Sequence, residues 1–185
     1  MVTVVAINGS RRNGSYTKHA LELALDAAAE TGAEVGMIDL GEHDVPLYHP
    51  DHNPDETVTE LMRRVRDAEG VLVGSPVYHG SYSSAFKNFH DYCGFEEYEN
   101  TSVGLLASAG GGSYGSTLDH LRSTIRGVHG WVVPQQVGIR GARNHFEGGD
   151  LTTESLAERV AELGRVVAED ARLRSDDRAS VPAED

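Results

Sequence analysis

The sequence predicts an α/β fold in which a five-stranded parallel sheet carries helices on both faces. Five short apolar runs are each followed by a segment with helical periodicity, an alternation typical of parallel sheets joined by right-handed crossovers. The loops after the predicted strands are rich in glycine and hydroxyl side chains, whereas those after the helices are plain, such as "ETGAE" and "DAEG". Because ligands bind beyond the carboxyl ends of the strands in open sheets of this kind, the contrast predicts one site at that edge.

The first strand and helix have the clearest pattern. Residues 2–7 form a nearly continuous apolar run, as expected of a parallel strand that is covered on both faces. In residues 16–30, alanine and leucine recur at intervals of three and four, which predicts a helix, and Gly32 follows as a stop signal. The segment "AEVGMIDL" predicts a second strand that ends near Leu40.

The remaining elements repeat this order up to a closing helix. Apolar runs predict three more strands, at 70–76, 101–109 and 131–139. Helical periodicity predicts helices at about 54–68, at about 82–92, from the glycine-rich stretch "GGGSYGS" to about 128, and at 151–173. No repeat or linker interrupts residues 1–173, so we expect one domain there. Residues 174–185 have little to bury and predict a disordered acidic tail.

Composition excludes several classes of protein. The formal net charge is −13 and the pI is near 5.0, so a nucleic-acid binder with a basic face is not expected. Cys93 is the only cysteine, which excludes an internal disulfide and a cysteine-rich metal site, and predicts helix packing for this thiol. No apolar run reaches the roughly 18 residues that span a bilayer, and no signal peptide precedes the first strand, so we predict a cytoplasmic protein without a membrane partner. The acidic excess with only two lysines fits either a salt-adapted protein or an ordinary acidic one.

The loop "NGSRRNGSYT" after the first strand has the residues of an anion site. Ser10, Ser15 and Thr17 offer hydroxyl donors, Arg12 offers a planar donor fork, and the N–H groups at the start of the helix favour negative charge. No "GK[ST]" follows, so the loop is not a P-loop, and it lacks the "GxGxxG" of dinucleotide folds. A phosphate monoester is the predicted ligand. The alternative is that Ser15 is only a helix cap and the arginines are solvated.

Two further loops complete the predicted site. In "SPVYHGSYS", Pro76 fixes the chain, Gly80 permits close approach, and Tyr78 and His79 could present ring and backbone to a flat ligand. Alternatively, His79 is an exposed loop histidine that has no functional role. The stretch "SAGGGSYGS", residues 108–116, has three consecutive glycines whose N–H groups can face a ligand directly.

Together these loops resemble the NADPH-dependent FMN reductase family of flavodoxin-like flavoproteins. "GSRRNGSYT" is similar to the family's G-S-x-R-x-G-S-x-N, and "GSPVYHGSYSSAFKNFHDY" to its P-x-Y-x-x-x-x-x-x-x-x-K-N-x-x-D. "DVPLYHPD" after the second strand and the glycine loop after the fourth also match, so the resemblance covers residues 1 to about 139. Thr17 stands where the family usually has Asn, and His79 replaces a common Asn beside the ring.

The resemblance implies a flavodoxin-like three-layer sandwich with bound FMN, which takes electrons from NADPH or NADH and passes them to a small-molecule acceptor. The acceptor would be a quinone, an azo compound, a metal oxyanion or free flavin, and a homodimer or homotetramer is expected. No catalytic side chain is expected, because the flavin carries the chemistry. The implied cofactor-binding residues are Ser10, Arg12, Ser15, Tyr16, Thr17, Pro76, Val77, Tyr78, His79, Gly80, Ser108, Gly110, Gly111, Gly112 and Ser113.

Other interpretations of the sequence remain open. Tyr78 and Tyr114 would also suit an electron carrier without nicotinamide turnover. A flavin-binding sensor or scaffold that turns over slowly is a third possibility. Three histidines and two aspartates between residues 43 and 52 have irregular spacing, so we predict a solvated loop there and no metal site. Lys87, Asn88 and Asp91 share one helical face that would suit a helix or subunit contact.

Overall fold

Five parallel strands form the central sheet in the order β2-β1-β3-β4-β5. The structure is a computed structural model that describes the backbone of residues 1–180 and the side chains of residues 1–175. The strands are β1 (Thr3–Asn8), β2 (Glu34–Asp39), β3 (Gly70–Pro76), β4 (Ser102–Ala109) and β5 (Trp131–Arg140). This strand order confirms the predicted flavodoxin-like α/β fold.

Helices cover both faces of the sheet. They are α1 (Tyr16–Glu30), α2 (Glu56–Arg66), α3 (Ser84–His90), α4 (Phe95–Tyr98), α5 (Gly115–Gly127) and α6 (Glu154–Ser180). Alternate strand residues point to opposite faces, so Val4 and Ala6 pack under α1 and α6, whereas Val5 and Ile7 pack under the other helices. The result is the predicted three-layer sandwich, with one apolar core on each side of the sheet.

Capping residues set the helix starts that position the site. Ser15 adopts extended backbone and its hydroxyl accepts a hydrogen bond from Lys18 N at 3.2 Å, so α1 begins directly after the loop that follows β1. Asp55 and Ser83 cap α2 and α3 in the same way. Gly32, at φ +88°, ends α1, because this left-handed conformation strains any other residue.

The two helices on one face approach each other unusually closely at Gly164. A Cβ at this position would lie 1.8 Å from the carbonyl oxygen of Ala24, so the backbones of α1 and α6 touch there. This contact fixes α1, and with it the loop that precedes α1, against the rest of the domain.

Three features, one before β4 and two after β5, were not predicted. The short helix α4 follows α3, and a 3₁₀ helix (Ala142–Asn144) and a two-stranded hairpin, β6 (Phe146–Glu147) and β7 (Asp150–Leu151), follow β5. Leu151, the predicted start of the last helix, belongs to the hairpin, so α6 starts three residues later, at Glu154. These elements are too short to produce a periodic pattern.

The predicted start of the disordered tail at 174 is wrong, since α6 continues to Ser180. Arg174, the first residue of the predicted tail, makes side-chain contacts. The guanidinium of Arg174 lies 3.9 Å from the centroid of the Trp131 ring, and its Nε donates to Asp170 at 3.0 Å. Residues 181–185 of the predicted tail lie outside the described residues.

No helix within the described residues is long and apolar enough to cross a membrane. The same part of the chain contains no group of three or more His, Cys, Asp or Glu side chains placed to hold a metal ion.

Two of the three histidines in the loop after β2 pack on each other. His49 and His52 stack with ring centroids 4.3 Å apart.

Candidate functional site

A cleft of about 290 Å³ opens at the carboxyl edge of the sheet. Loops that follow four of the five strands contribute to it, as the switch-point rule for doubly wound sheets predicts. The lining residues are Ser10, Arg12, Ser15, Tyr16, Thr17, Pro76, Val77, Tyr78, Ser108, Ala109, Gly110, Ala142 and Arg143.

The structure brings most of the predicted site residues together. Ten of the fifteen line the cleft, namely Ser10, Arg12, Ser15, Tyr16, Thr17, Pro76, Val77, Tyr78, Ser108 and Gly110. The other five, His79, Gly80, Gly111, Gly112 and Ser113, belong to the same loops but are not among its lining residues. Ala109, Ala142 and Arg143 also line the cleft and were missed.

The loop between β1 and α1 presents a set of donors to the cleft. The N–H groups of Tyr16 and Thr17 lie in the first turn of α1, where no carbonyl of the helix can pair with them. The guanidinium of Arg12 lies 5.4 Å from the centroid of the Tyr16 ring, and Arg12 N donates to Ser10 Oγ at 3.3 Å. Free N–H groups, hydroxyls and an arginine without a carboxylate partner suit a phosphate monoester.

A buried pair of hydroxyls joins this loop to the loop after β4. The Thr17 and Ser108 oxygens lie 2.6 Å apart, and both side chains are almost completely buried. Thr17 is the position where the family usually has Asn. In this structure the Thr17 hydroxyl therefore forms a hydrogen bond with Ser108, in the loop on the other side of the cleft.

An ion-pair network supports the phosphate loop. Asn8 Nδ2 donates to Asp39 Oδ1 at 2.9 Å, and Asn8 Oδ1 accepts from Ser10 N at 3.2 Å. Asp39 also accepts from Gly41 N at 2.9 Å and pairs with Lys18 Nζ at 2.7 Å. Burial by itself raises the pKa of the Asp39 carboxyl, but the hydrogen bonds from Lys18 and its other donors outweigh burial and hold that pKa below its ordinary value.

The loop after β3 forms a tight turn at the edge of the cleft. Tyr78 and Ser81 exchange two backbone hydrogen bonds, at 2.9 and 3.0 Å. The two residues between them, His79 (φ 51°) and Gly80 (φ 79°), are both left-handed, which is the geometry of a type I′ turn. Ser116 Oγ donates to Gly80 O at 2.7 Å and holds the turn against α5. Tyr78 lines the cleft while half of its surface stays exposed.

The glycine loop after β4 is open to solvent. A Cβ on Gly110, Gly111 or Gly112 would meet no atom within 4 Å, so these glycines leave backbone accessible and are not needed for packing. Arg140 Nε donates to Gly111 O at 3.1 Å and ties the loop to the end of β5. Tyr114 turns away from the cleft lining, and its ring packs where a Cβ on Gly138 would lie 2.0 Å from it.

The chemistry of the lining limits what the cleft can do. The thirteen residues include no His, Asp, Glu, Lys or Cys, so none of them is a proton carrier with an ordinary pKa near neutrality. Two arginines supply its only formal charges, in a chain with 29 acidic residues. All charged side chains of the lining are therefore cationic, which favours an anionic ligand.

The fold and the site together define a flavodoxin-like flavoprotein. A sheet of this order, with phosphate-type donors after the first strand and an open cleft beside the third and fourth, fits FMN with its phosphate at the β1–α1 loop. Solved structures of the same fold include the flavoenzyme NAD(P)H:(acceptor) oxidoreductase FerB of Paracoccus denitrificans. Its TM-score is 0.76 at 20% identity, and the alignment covers 94% of this chain and 99% of that one. A WrbA-like flavodoxin from Agrobacterium tumefaciens has a TM-score of 0.68 at 16% identity, covering 94% and 99%.

The chain belongs to the NADPH-dependent FMN reductase family, whose sequence profile matches residues 2–144. It is 32% identical over 151 residues to an NADPH azoreductase of Bacillus sp. strain OY1-2, covering 80% of this chain and 81% of that protein. It is 31% identical over 139 residues to an FMN-dependent NADPH-azoreductase of Staphylococcus saprophyticus, covering 71% and 73%. The chain is thus an FMN-dependent oxidoreductase of an NADPH-dependent family, which confirms the predicted FMN-dependent NAD(P)H oxidoreductase.

Proposed function

We propose that the cleft binds FMN through its phosphate and isoalloxazine ring, and that the enzyme passes electrons from NADPH to an azo compound. The observation that carries the binding mode is the single cleft that joins the donors of the β1–α1 loop to the flat wall of Pro76, Val77 and Tyr78. The two curated relatives described above are both azoreductases, which supports an azo acceptor. Quinones, metal oxyanions and free flavin are the other acceptor classes to compare.

Each part of the cleft has a proposed role. Ser10, Arg12, Ser15 and Thr17 hold the phosphate, with the first N–H groups of α1. When bound in this cleft, FMN would supply the two-electron chemistry that links the nicotinamide to the acceptor. The chain orients the ring and leaves one side of the cleft open to both substrates. That His79, Gly80, Gly111, Gly112 and Ser113 contact the ring stays a prediction.

The electron-carrier alternative is less well supported by the geometry. That interpretation relied on two aromatic side chains, Tyr78 and Tyr114, on either side of the ring. Tyr114 is instead packed over Gly138 and does not line the cleft. Only one of the two loops therefore presents an aromatic side chain to the site.

The binding mode is tested by comparing FMN with riboflavin, which lacks the phosphate. FMN should bind far more tightly to the wild type, and Arg12→Ala should weaken FMN at least about tenfold while leaving riboflavin unchanged. Arg126→Ala is the control, since Arg126 is an exposed arginine near the far end of α5. Equal affinity of the wild type for FMN and riboflavin, measured by flavin fluorescence, would reject a phosphate site.

The acceptor is tested by steady-state NADPH oxidation with an azo dye, a benzoquinone, chromate and free FMN in parallel. An azo dye with a higher kcat/KM than the quinone supports the proposal. Rapid oxidation of NADPH with the quinone and none with the dye would assign the enzyme to the quinone class.

We also propose that the protein is cytoplasmic, that it is adapted to high salt, and that it forms a homodimer or homotetramer. Each subunit would contain one FMN-binding domain over residues 1–173. An exposed apolar loop supports the oligomer. Leu47 is 86% exposed, and Asn88 and Tyr92 hold its neighbours Pro46 and Tyr48 in place by hydrogen bonds. Leu47→Asp should lower the mass found by light scattering if this loop lies between subunits. An unchanged mass would place the interface elsewhere.

A further inference from the structure

The segment that follows β5 is fixed against the start of α1. Phe146 stacks on Tyr16 with ring centroids 5.1 Å apart and planes 29° apart. His145 has polar partners at both ring nitrogens, Thr153 Oγ1 at 2.8 Å and the Arg140 carbonyl oxygen at 3.1 Å. The 3₁₀ helix immediately before Phe146 is therefore held beside the same helix terminus that carries the donor set.

Arg143 lies in that 3₁₀ helix and lines the cleft. Its side chain is exposed, and no described residue forms a hydrogen bond or ion pair with it. Other described arginines, such as Arg126, also have no carboxylate partner, so it is its position in the cleft lining that distinguishes Arg143. The absence of Asp and Glu from the cleft lining keeps this charge available to a ligand.

Tyr16 packs against both of the segments that carry the two arginines of the cleft. The Arg12 guanidinium lies 5.4 Å from the centroid of the Tyr16 ring, and the Phe146 ring packs on the same tyrosine. Arg12 reaches the cleft from the loop before α1, whereas Arg143 reaches it from the segment after β5. Both arginines therefore line the same cleft as the first turn of α1, where backbone N–H groups favour an anion.

We propose that Arg143 is a second cationic ligand of the phosphate monoester that binds at the start of α1, opposite Arg12. The proposal rests on the function proposed above and extends it. A phosphate monoester carries close to two negative charges at neutral pH, so two arginines neutralise it where one would not. Phe146 is then a positioning residue, which acts through its stacking on Tyr16 and never touches the ligand.

Flavin titrations with FMN and riboflavin test the proposal. Arg143→Gln should weaken FMN about tenfold and leave riboflavin unchanged, and Arg143→Lys should recover part of the loss because it keeps the charge. The control is Arg126→Gln, which removes an exposed arginine from the end of α5 and should change neither affinity. Unchanged FMN affinity in Arg143→Gln, or equal losses for FMN and riboflavin, would overturn the proposal.

Two further comparisons separate the alternatives. The 2′-phosphate of NADPH is the other phosphate monoester in the reaction, so kcat/KM is compared for NADPH and NADH with FMN saturating. A loss of kcat/KM confined to NADPH, with FMN affinity intact, would overturn the proposal and assign Arg143 to the nicotinamide substrate.

Phe146→Ala should weaken FMN binding when introduced into the wild type, but it should have little further effect when introduced into Arg143→Gln. If the losses of FMN affinity in the two variants add fully in the double variant, the positioning role of Phe146 is refuted. If the wild type prefers FMN to riboflavin while Arg143→Gln changes nothing, only this inference fails and the proposed function stands.

Discussion

Replacing Lys18 should destabilise the domain through the ion pair that supports the phosphate loop. Lys18 Nζ lies 2.7 Å from Asp39 Oδ2, and the two side chains are 29% and 9% exposed. A hydrogen bond to a charged group is worth about 1.5–3 kcal/mol. Asp39 keeps its bonds from Asn8 and Gly41, and solvent screens the partly exposed lysine, so we expect Lys18→Met to cost about 1–2 kcal/mol.

The chain offers a matched control in Lys87, its only other lysine. Lys87 pairs with Asp91 one turn along α3, where the side chains are 44% and 34% exposed, so Lys87→Met should cost no more than about 0.5 kcal/mol. A loss of 1 kcal/mol lowers Tm by about 2–4 °C in a chain of this size. Urea denaturation and thermal melting of both variants measure the difference, with about 2–8 °C expected for Lys18→Met.

The pH dependence of the free energy of unfolding shows whether the loss in Lys18→Met comes from the ion pair with Asp39. The folded-state pKa of Asp39 lies below its unfolded value, so the carboxylate contributes stability above the unfolded pKa, and this is lost as pH falls through the folded pKa. The pKa of Lys18 is raised by Asp39 and Glu42, so the lysine stays charged throughout the acidic range. The deficit of Lys18→Met should therefore be full at neutral pH and shrink toward about pH 3. A deficit that is constant with pH, or no larger than that of Lys87→Met, would refute this account.

The Tm should rise between dilute buffer and molar salt, because screening weakens the self-repulsion of a chain with net charge −13, and a flat curve would remove the argument for salt adaptation. Gly164→Ala should cost about 3 kcal/mol or more in urea denaturation, since the added Cβ would lie 1.8 Å from Ala24 O. Gly127→Ala, with nothing within 4 Å, should be neutral or stabilising, and similar values for both would contradict the close helix contact. Tyr78→Phe and His79→Ala should retain reduction of bound FMN within about tenfold in anaerobic stopped flow, whereas loss of a general acid or base would cost about 10²–10⁴-fold.

Much of the fold could be predicted from local patterns in the sequence. The first helix begins and ends where the periodicity placed it, at Tyr16 and Glu30, because Ser15 caps it and Gly32 stops it. The single cysteine, Cys93, is buried beside Phe89, and burial raises the pKa of its thiol, in agreement with a packing role. Strong periodicity and turn residues act over a few positions, so they can be read from the sequence alone.

The missed parts of the site depend on contacts between distant residues. Arg143 follows the last strand by three positions, and no motif marks it. Its segment is positioned by contacts such as that of Phe146 with Tyr16, which is 130 positions earlier in the chain. The electron-carrier alternative required Tyr114 beside the ring, but this side chain packs over Gly138 instead. The one available signal for Arg143 was its position after a strand of the sheet, on the edge where ligands bind.

Anaerobic reduction of the bound flavin tests the central claim most directly. The purified protein is saturated with FMN, free flavin is removed, and NADPH is added without oxygen while the visible absorption of the flavin is followed. We predict that the band bleaches completely with one equivalent of NADPH, because one hydride carries the two electrons that FMN accepts. A protein that retains FMN through gel filtration but is bleached by neither NADPH nor NADH would contradict the account.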